Sequence, residues 1–222
     1  MTRPLSGRKA QAARNDEVIL QAARAVFLDD PGAPIAAVAE RAGVGISALY
    51  RRYPSKEELL RKLCSDGLAE YTAAAQAAVD KLDHASDTGN DIGNDAWAAF
   101  AGFMRRVVDA GSTSLTVRLA GTFTPDEQLY RDAAHADDLN QRLIRGVRAA
   151  GVIRADIEIA DLGLILEQIA AVRIADDART NELRHRYLAL ILEALRHPGH
   201  ATLPGQPPRP EELAARWSPQ PR

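Results

Sequence analysis

The sequence predicts an all-α protein, on three observations. Strand-type alternation is nearly absent, alanine, leucine and arginine dominate, and apolar residues return at helical spacing. Hydrophobic residues make up 46% and charged residues 26% of the 222 positions, a globular balance that allows one large domain or two small ones.

The elements follow in chain order. A first helix is expected from Asn15, a good N-cap, with Asp16 and Glu17 complementing its dipole. Ile19, Ala22, Ala23, Val26 and Phe27 form its inward stripe, and it ends near Asp29, before Pro31-Gly32. A second, short helix opens at Pro34 with Ile35, Val38, Ala39 and Ala42 on its apolar face, and Gly43 closes it. A third runs from Gly45 or Ile46 to Arg52 and stops at Pro54. Ser55 and Glu58 make a capping box that opens a long fourth helix, expected to reach about Leu82. His84 to Asp95, rich in Gly, Asn, Asp and Ser, reads as a linker or loop. Further helices are expected near 95–110, 113–121, 125–150, 156–178 and 181–196, with Thr124-Pro125 and Asp156 as starts and Gly111, Gly121 and Gly151 as stops. The Pro-rich tail, 198–222, is expected to be poorly ordered, with Glu211 to Trp217 suited to one or two helical turns.

Charge is unevenly spread. Residues 1–62 hold 11 basic and 7 acidic side chains, an excess of +4 on a chain whose net charge is −2. A basic front on an acidic body suits contact with a polyanion at one end. Cys64 is the only cysteine, so no intrachain disulfide can form, and its plain reading is a small buried apolar residue. The opening Met1-Thr2-Arg3-Pro4 has no apolar run resembling a signal peptide. The most apolar stretch, Leu162 to Val172, is interrupted by Glu167 and Gln168. A cytoplasmic chain without a membrane partner is therefore expected.

The informative stretch is Ala33 to Lys56, two short amphipathic helices joined by a tight turn at Gly43-Val44. That is the physical description of a helix-turn-helix, whose second helix enters the major groove of duplex DNA. Leu49 and Val44 are expected to face the core, leaving Ile46, Ser47, Ala48, Tyr50, Arg51 and Arg52 outward or flanking the groove. Small side chains at Ser47 and Ala48 allow close approach to base edges, while Arg51 and Arg52 suit phosphates or guanine. Backbone N–H groups at the next helix start, with the Lys56 ammonium, form a natural phosphate clamp.

Over residues 10–65 the chain resembles the TetR family of bacterial transcription regulators. The resemblance is carried by Ile19-Leu20, Ala22-Ala23, Phe27, Ile35, Val38-Ala39, Ala42-Gly43-Val44, Ala48-Leu49-Tyr50, Tyr53, Ser55-Lys56-Glu57 and Leu59. It implies a three-helix DNA-binding domain over 10–60, with the helix-turn-helix at about 34–53. It further implies phosphate contacts from Tyr50 and Lys56, and base contacts around Ile46 to Ala48 and Arg51-Arg52. Tyr53 belongs to the same DNA-binding set. Many relatives carry a threonine pair where this chain has Ala33-Pro34, which removes one side-chain phosphate contact. Behind a connecting segment at 61–94, the resemblance implies a helical-bundle domain over 95–197 that binds an effector and dimerises. The partners implied are a palindromic operator in double-stranded DNA, a second copy of the chain and a small-molecule effector.

Trp97, Phe100, Phe103, Met104, Phe123, Tyr130, Gln168 and Arg173 are the pocket candidates, although aromatics at helical spacing are more often plain core. Leu162, Leu166, Ile169, Leu188, Ile191 and Leu195 offer a dimer seam and equally suit intramolecular core. Rival chemistry is thin. Asp132 with His135, and Glu182 with His185, have the i, i+3 spacing of helical di-metal sites, but no glutamate pair from two further helices completes them. Gly43-Val44-Gly45 lacks a preceding strand and a third glycine, so it is no dinucleotide loop. His197 and His200 are too few for a metal site, so neither a catalytic residue nor a cofactor is expected. A DNA-binding protein without an effector is the closest alternative, and a di-metal enzyme the remoter one.

Overall fold

The computed structural model describes residues 7–88, 91–111, 115, 119–174, 176–196 and 202–217, and all regular structure among them is helical. Helix α1 (Gly7–Asp29) begins well before the expected Asn15. The run Arg8-Lys9-Ala10-Gln11-Ala12-Ala13-Arg14 contains neither Gly nor Pro and is built of strong helix formers, so nothing halts the helix upstream.

Helix α2 (Ile35–Ala42) starts one residue after Pro34 and closes at Gly43, whose φ of 64° is left-handed. The Gly43 N–H donates to Glu40 O and the Val44 N–H to Ala39 O at 3.0 Å, which satisfies the last carbonyls of the helix. A side chain at Gly43 would be strained, so the turn into α3 (Ile46–Arg52) depends on it. Helix α4 (Lys56–Thr88) opens as expected, with Ser55 Oγ accepting from the Glu58 N–H at 3.1 Å.

Helix α4 also runs past Leu82 into the expected linker as far as Thr88, and α5 (Ile92–Ala110) starts early because the Asp91 carboxylate accepts from the Asn94 N–H at 3.2 Å. Of the helix expected at 113–121, Leu115 and Leu119 are helical, while 112–114 and 116–118 lie outside the described residues. Helix α6 (Glu127–Ala149) is capped by Asp126. The long helix expected at 156–178 is cut at both ends, leaving α7 (Ile159–Ala171). Asp156 is engaged by Arg154 instead of starting the helix, and Val172 turns extended at the other end. Helix α8 (Asp177–Leu195) follows. His197 and His200 lie outside the described residues.

Two cores result. The first joins Ile19, Ala23 and Phe27 of α1 to Val38, Leu49, Leu59 and Leu63, and it also takes in Leu115, Leu119, Phe123 and Leu129 from far along the chain. The second joins Ala75 and Val79 of α4 to Phe100, Phe103 and Met104 of α5, Leu139 and Leu143 of α6, Leu166 of α7 and Leu188 of α8. Helix α4 therefore contributes its first turns to one core and its later turns to the other. It lies against α5 and α6 and approaches α6 closely at Gly146, where a Cβ would stand 2.9 Å from Leu82 Cδ1.

The tail, expected to be poorly ordered, lies against the bundle over its described part. Leu203 donates its N–H to Asp156 Oδ2 at 3.1 Å, and Arg216 meets both Glu167 oxygens at 2.6 and 2.7 Å. Between these, α9 (Pro210–Ala214) sets Leu213 over Gly163 of α7 and leads into a 3₁₀ turn, Ala215–Trp217.

Candidate nucleic-acid interface

The third helix is anchored by one side chain and braced by one ion pair. Leu49 is fully buried and pins α3 onto the first core, which turns Ile46 and Tyr50, 40% and 46% exposed, to the outside. Ser47 and Arg51 are exposed beside them, and Ala48 is half-buried. These residues form an uncovered face of small, aromatic and cationic groups on a fixed helix, suited to a groove lined with base edges and phosphates.

Arg52 does not join that face. Its guanidinium makes a fork onto Asp16 of α1, with Nε and Nη2 each 2.8 Å from a carboxylate oxygen. The buried Tyr53 donates its hydroxyl to the same carboxylate at 2.7 Å. Arg52 holds the Asp16 carboxyl below its ordinary range, and in return the carboxylate raises the Arg52 pKa. Burial, then the bond to Asp16, raises the Tyr53 phenol. Two of the five guanidinium donors of Arg52, expected to read bases, are held by Asp16 in the free chain. Asp16 is the residue that sequence reasoning missed. With Asn15 as the expected helix start, Asp16 reads as a dipole residue. Its place three residues before Ile19, on the same stripe, was the available signal.

Lys56 also turns inward. Its ammonium donates to Pro31 O at 2.9 Å and Ala33 O at 2.7 Å, and lies 5.1 Å from the centre of the Phe27 ring. Burial lowers its pKa. In the free chain the ammonium expected at a phosphate closes the α1–α2 loop, since carbonyls left by the break at Pro31-Gly32-Ala33 need donors. Of the eight expected DNA-binding residues, the structure brings Ile46, Ser47, Ala48, Tyr50 and Arg51 to one face and uses Arg52, Tyr53 and Lys56 to hold that face in place.

The pocket candidates do not converge. Phe100, Phe103 and Met104 are fully buried in the second core, with Trp97 packed against Phe100 at 5.9 Å between ring centres. Phe103 meets Tyr71 edge-on at 5.4 Å, and the Tyr71 hydroxyl donates to Asn140 at 2.9 Å. Phe123 belongs to the first core, and Tyr130 is 59% exposed. Gln168 is exposed, and Arg173 reaches the end of α1. The seam candidates Leu162, Leu166, Ile169, Leu188 and Leu195 are buried within the single chain, with Ile191 half-buried against them. The large apolar side chains that α8 leaves outside are Tyr187 and Leu190, 46% and 59% exposed. The carboxylate–histidine pairs are also separate. His185 bonds Asp109 and Glu182 pairs with Arg179, while Asp132 and His135 border a groove beside α4. No metal-binding group assembles among the described residues. Nor is any described helix long and apolar enough to cross a membrane.

Comparison with known proteins agrees with this architecture at both ends. Residues 19–63 match the model of bacterial regulatory proteins of the tetR family, and residues 95–197 match the C-terminal domain model of SbtR-like transcriptional regulators. No curated protein matches the chain. Among solved structures, a TetR transcriptional regulator from Streptomyces coelicolor is 23% identical, with a TM-score of 0.53 over 82% of this chain and 99% of that one. PfmR from Thermus thermophilus is 19% identical, with a TM-score of 0.54 over 79% and 97%. LfrR from Mycobacterium smegmatis, solved with proflavine, is 22% identical, with a TM-score of 0.50 over 86% and 99%. These likenesses are to the fold. The two family models together span most of the chain, and the chain belongs to the TetR family of DNA-binding transcription regulators, which are not enzymes.

Proposed function

We propose that the chain is a cytoplasmic homodimer that binds a roughly palindromic operator and represses until a small-molecule effector releases it. The observation that carries this reading is the exposed face of Ile46, Ser47, Tyr50 and Arg51 on a helix fixed from below by Leu49 and from the side by Asp16. One such helix buries too little surface for tight specific binding, so two copies must act on neighbouring half-sites. The exposed Tyr187 and Leu190 of α8 support a dimer through α7 and α8. The proflavine in the LfrR structure supports an effector response in a chain of similar fold.

Switching runs through α4, which begins next to α3 and ends inside the second core. An effector that favours one tilt of α4 alters the separation of the two reading helices, which must match about 34–36 Å or a multiple of it. About 5.5 kcal/mol of differential binding moves such an equilibrium from 1:99 to 99:1. The test is selection of bound sequences from random duplex DNA. A two-fold symmetric motif, lost in Ser47→Glu and Arg51→Ala, is expected. Binding with no sequence preference overturns the reading.

A further inference from the structure

A cleft of about 350 Å³ opens between the last turns of α4, the start of α5 and the last turns of α6, at the end of the bundle away from α3. Its size suits a small organic molecule. The floor is apolar, formed by the buried Leu82 and Ala96, and Ile92, 45% exposed, stands at the mouth. Asp83, Arg142 and Arg145 stand on its rim. Arg142 is paired with Asp83 at 3.1 Å, which leaves Arg145 as the exposed cation of the rim with no hydrogen bond or ion pair among the described residues.

We infer that this cleft takes an amphipathic organic anion, its apolar body on Leu82 and Ile92 and its carboxylate or sulfonate on Arg145. The inference rests on the effector reading above and gives it a place and a ligand class. The sign follows from the rim: one carboxylate already neutralised by one arginine, and a second arginine unanswered. A cation would meet only Asp83, which is occupied. The cleft also has a mechanical connection, since its floor includes the Leu82 side chain that seats against Gly146. A ligand wedged there bears directly on the packing of α4 against α6.

The probes are 8-anilinonaphthalene-1-sulfonate and its uncharged counterpart N-phenyl-1-naphthylamine, titrated by fluorescence into the full chain. One sulfonate probe per chain is expected, bound more weakly as salt rises. Arg145→Gln should weaken the sulfonate roughly fivefold, the scale of an exposed ion pair, and leave the neutral probe unchanged. Ile92→Glu should weaken both probes. Both positions are exposed and far from α3, so circular dichroism and operator affinity without probe should match the parent chain. The proposal is overturned if the parent chain does not bind the sulfonate, if both variants bind it normally, or if Arg145→Gln weakens both probes alike. A sulfonate that binds through Arg145 without releasing operator upholds the site and removes this cleft from the effector mechanism.

Discussion

Arg173, just beyond the end of α7, holds the carboxylate of Asp29, the last residue of α1, at 2.5 Å, and its second terminal nitrogen donates to Leu28 O at 2.9 Å. The two partners are 144 positions apart in sequence. The contact joins the helical bundle to the rim of the DNA-binding domain. Arg184 stands beside it, donating to Ala170 O at 2.8 Å and Val172 O at 3.0 Å, so the corner that presents Arg173 is itself fastened to α8. Burial and then the neighbouring Arg173 charge lower the Arg184 pKa.

Breaking this tie should alter communication more than stability. Arg173→Ala and Asp29→Ala are each expected to shift operator affinity about two- to fivefold, and the double variant by no more than either alone, a coupling of about 0.5–1 kcal/mol. Strictly additive effects on operator binding would show that the pair carries nothing between the domains.

The division of α3 into exposed and fastened cations can be read from salt dependence. Arg51→Ala should lower the slope of log operator affinity against log salt by about 0.9 and leave the melting temperature in place. Lys56→Met should keep that slope and instead cost about 1–2 kcal/mol, a fall of roughly 2–8 °C, because Pro31 O and Ala33 O lose their donor. The opposite assignment would place Lys56, not Arg51, on the phosphate backbone.

Acid should loosen the brace at Asp16. Its folded pKa lies below the ordinary value, so the stabilisation is complete above about pH 5 and disappears as pH falls through the depressed folded value. Asp16→Asn should cost about 1–2 kcal/mol at pH 7, since the Arg52 side of the pair is largely exposed. In urea unfolding from pH 7 to pH 2, the gap between parent and variant should close. A gap that stays constant over that range means the charge of Asp16 contributes nothing.

For the dimer, Tyr187→Glu with Leu190→Glu should give a folded monomer in sedimentation, because both side chains already face outward. Leu188→Glu, at a position 1% exposed, should unfold the bundle and not merely dissociate it. A parent chain that sediments as a monomer at micromolar concentration would end the dimer proposal.

Much of this was legible in the residues. Gly43, Pro34 and Ser55 declare helix ends by local chemistry, and each end falls within a residue of its signal. The buried faces of α1 to α3 follow from their apolar spacing. Cys64 is likewise buried as expected, and burial pushes its thiol up to about 12. Overruns and shortfalls arose where a cap signal had no breaker beside it. Asn15 could not start a helix that Ala-rich sequence had already started, and Asp156 was taken up by Arg154 and Leu203. Cation roles were the least legible. Arg51, Arg52 and Lys56 look alike in sequence, and only the folded positions of Asp16, Pro31 and Ala33 divide them. The aromatic candidates share a composition and not a place, because Phe123 is carried to the first core while Phe103 stays in the second.

In the proposed switch, the slot at Gly146 serves α4 as a fulcrum. From Leu82 to Lys56 the helix spans about 39 Å at about 1.5 Å per residue. A rotation of about 5° about the slot therefore sweeps the α3 end through about 3 Å, comparable to the length of one base-pair step. Displacements at the fulcrum itself stay well below the width of a methyl group. A bulkier residue at 146 would force Leu82 to move and reset the resting angle of the arm, so in the proposed dimer Gly146→Ala is a one-methyl adjustment of the distance between the two reading heads.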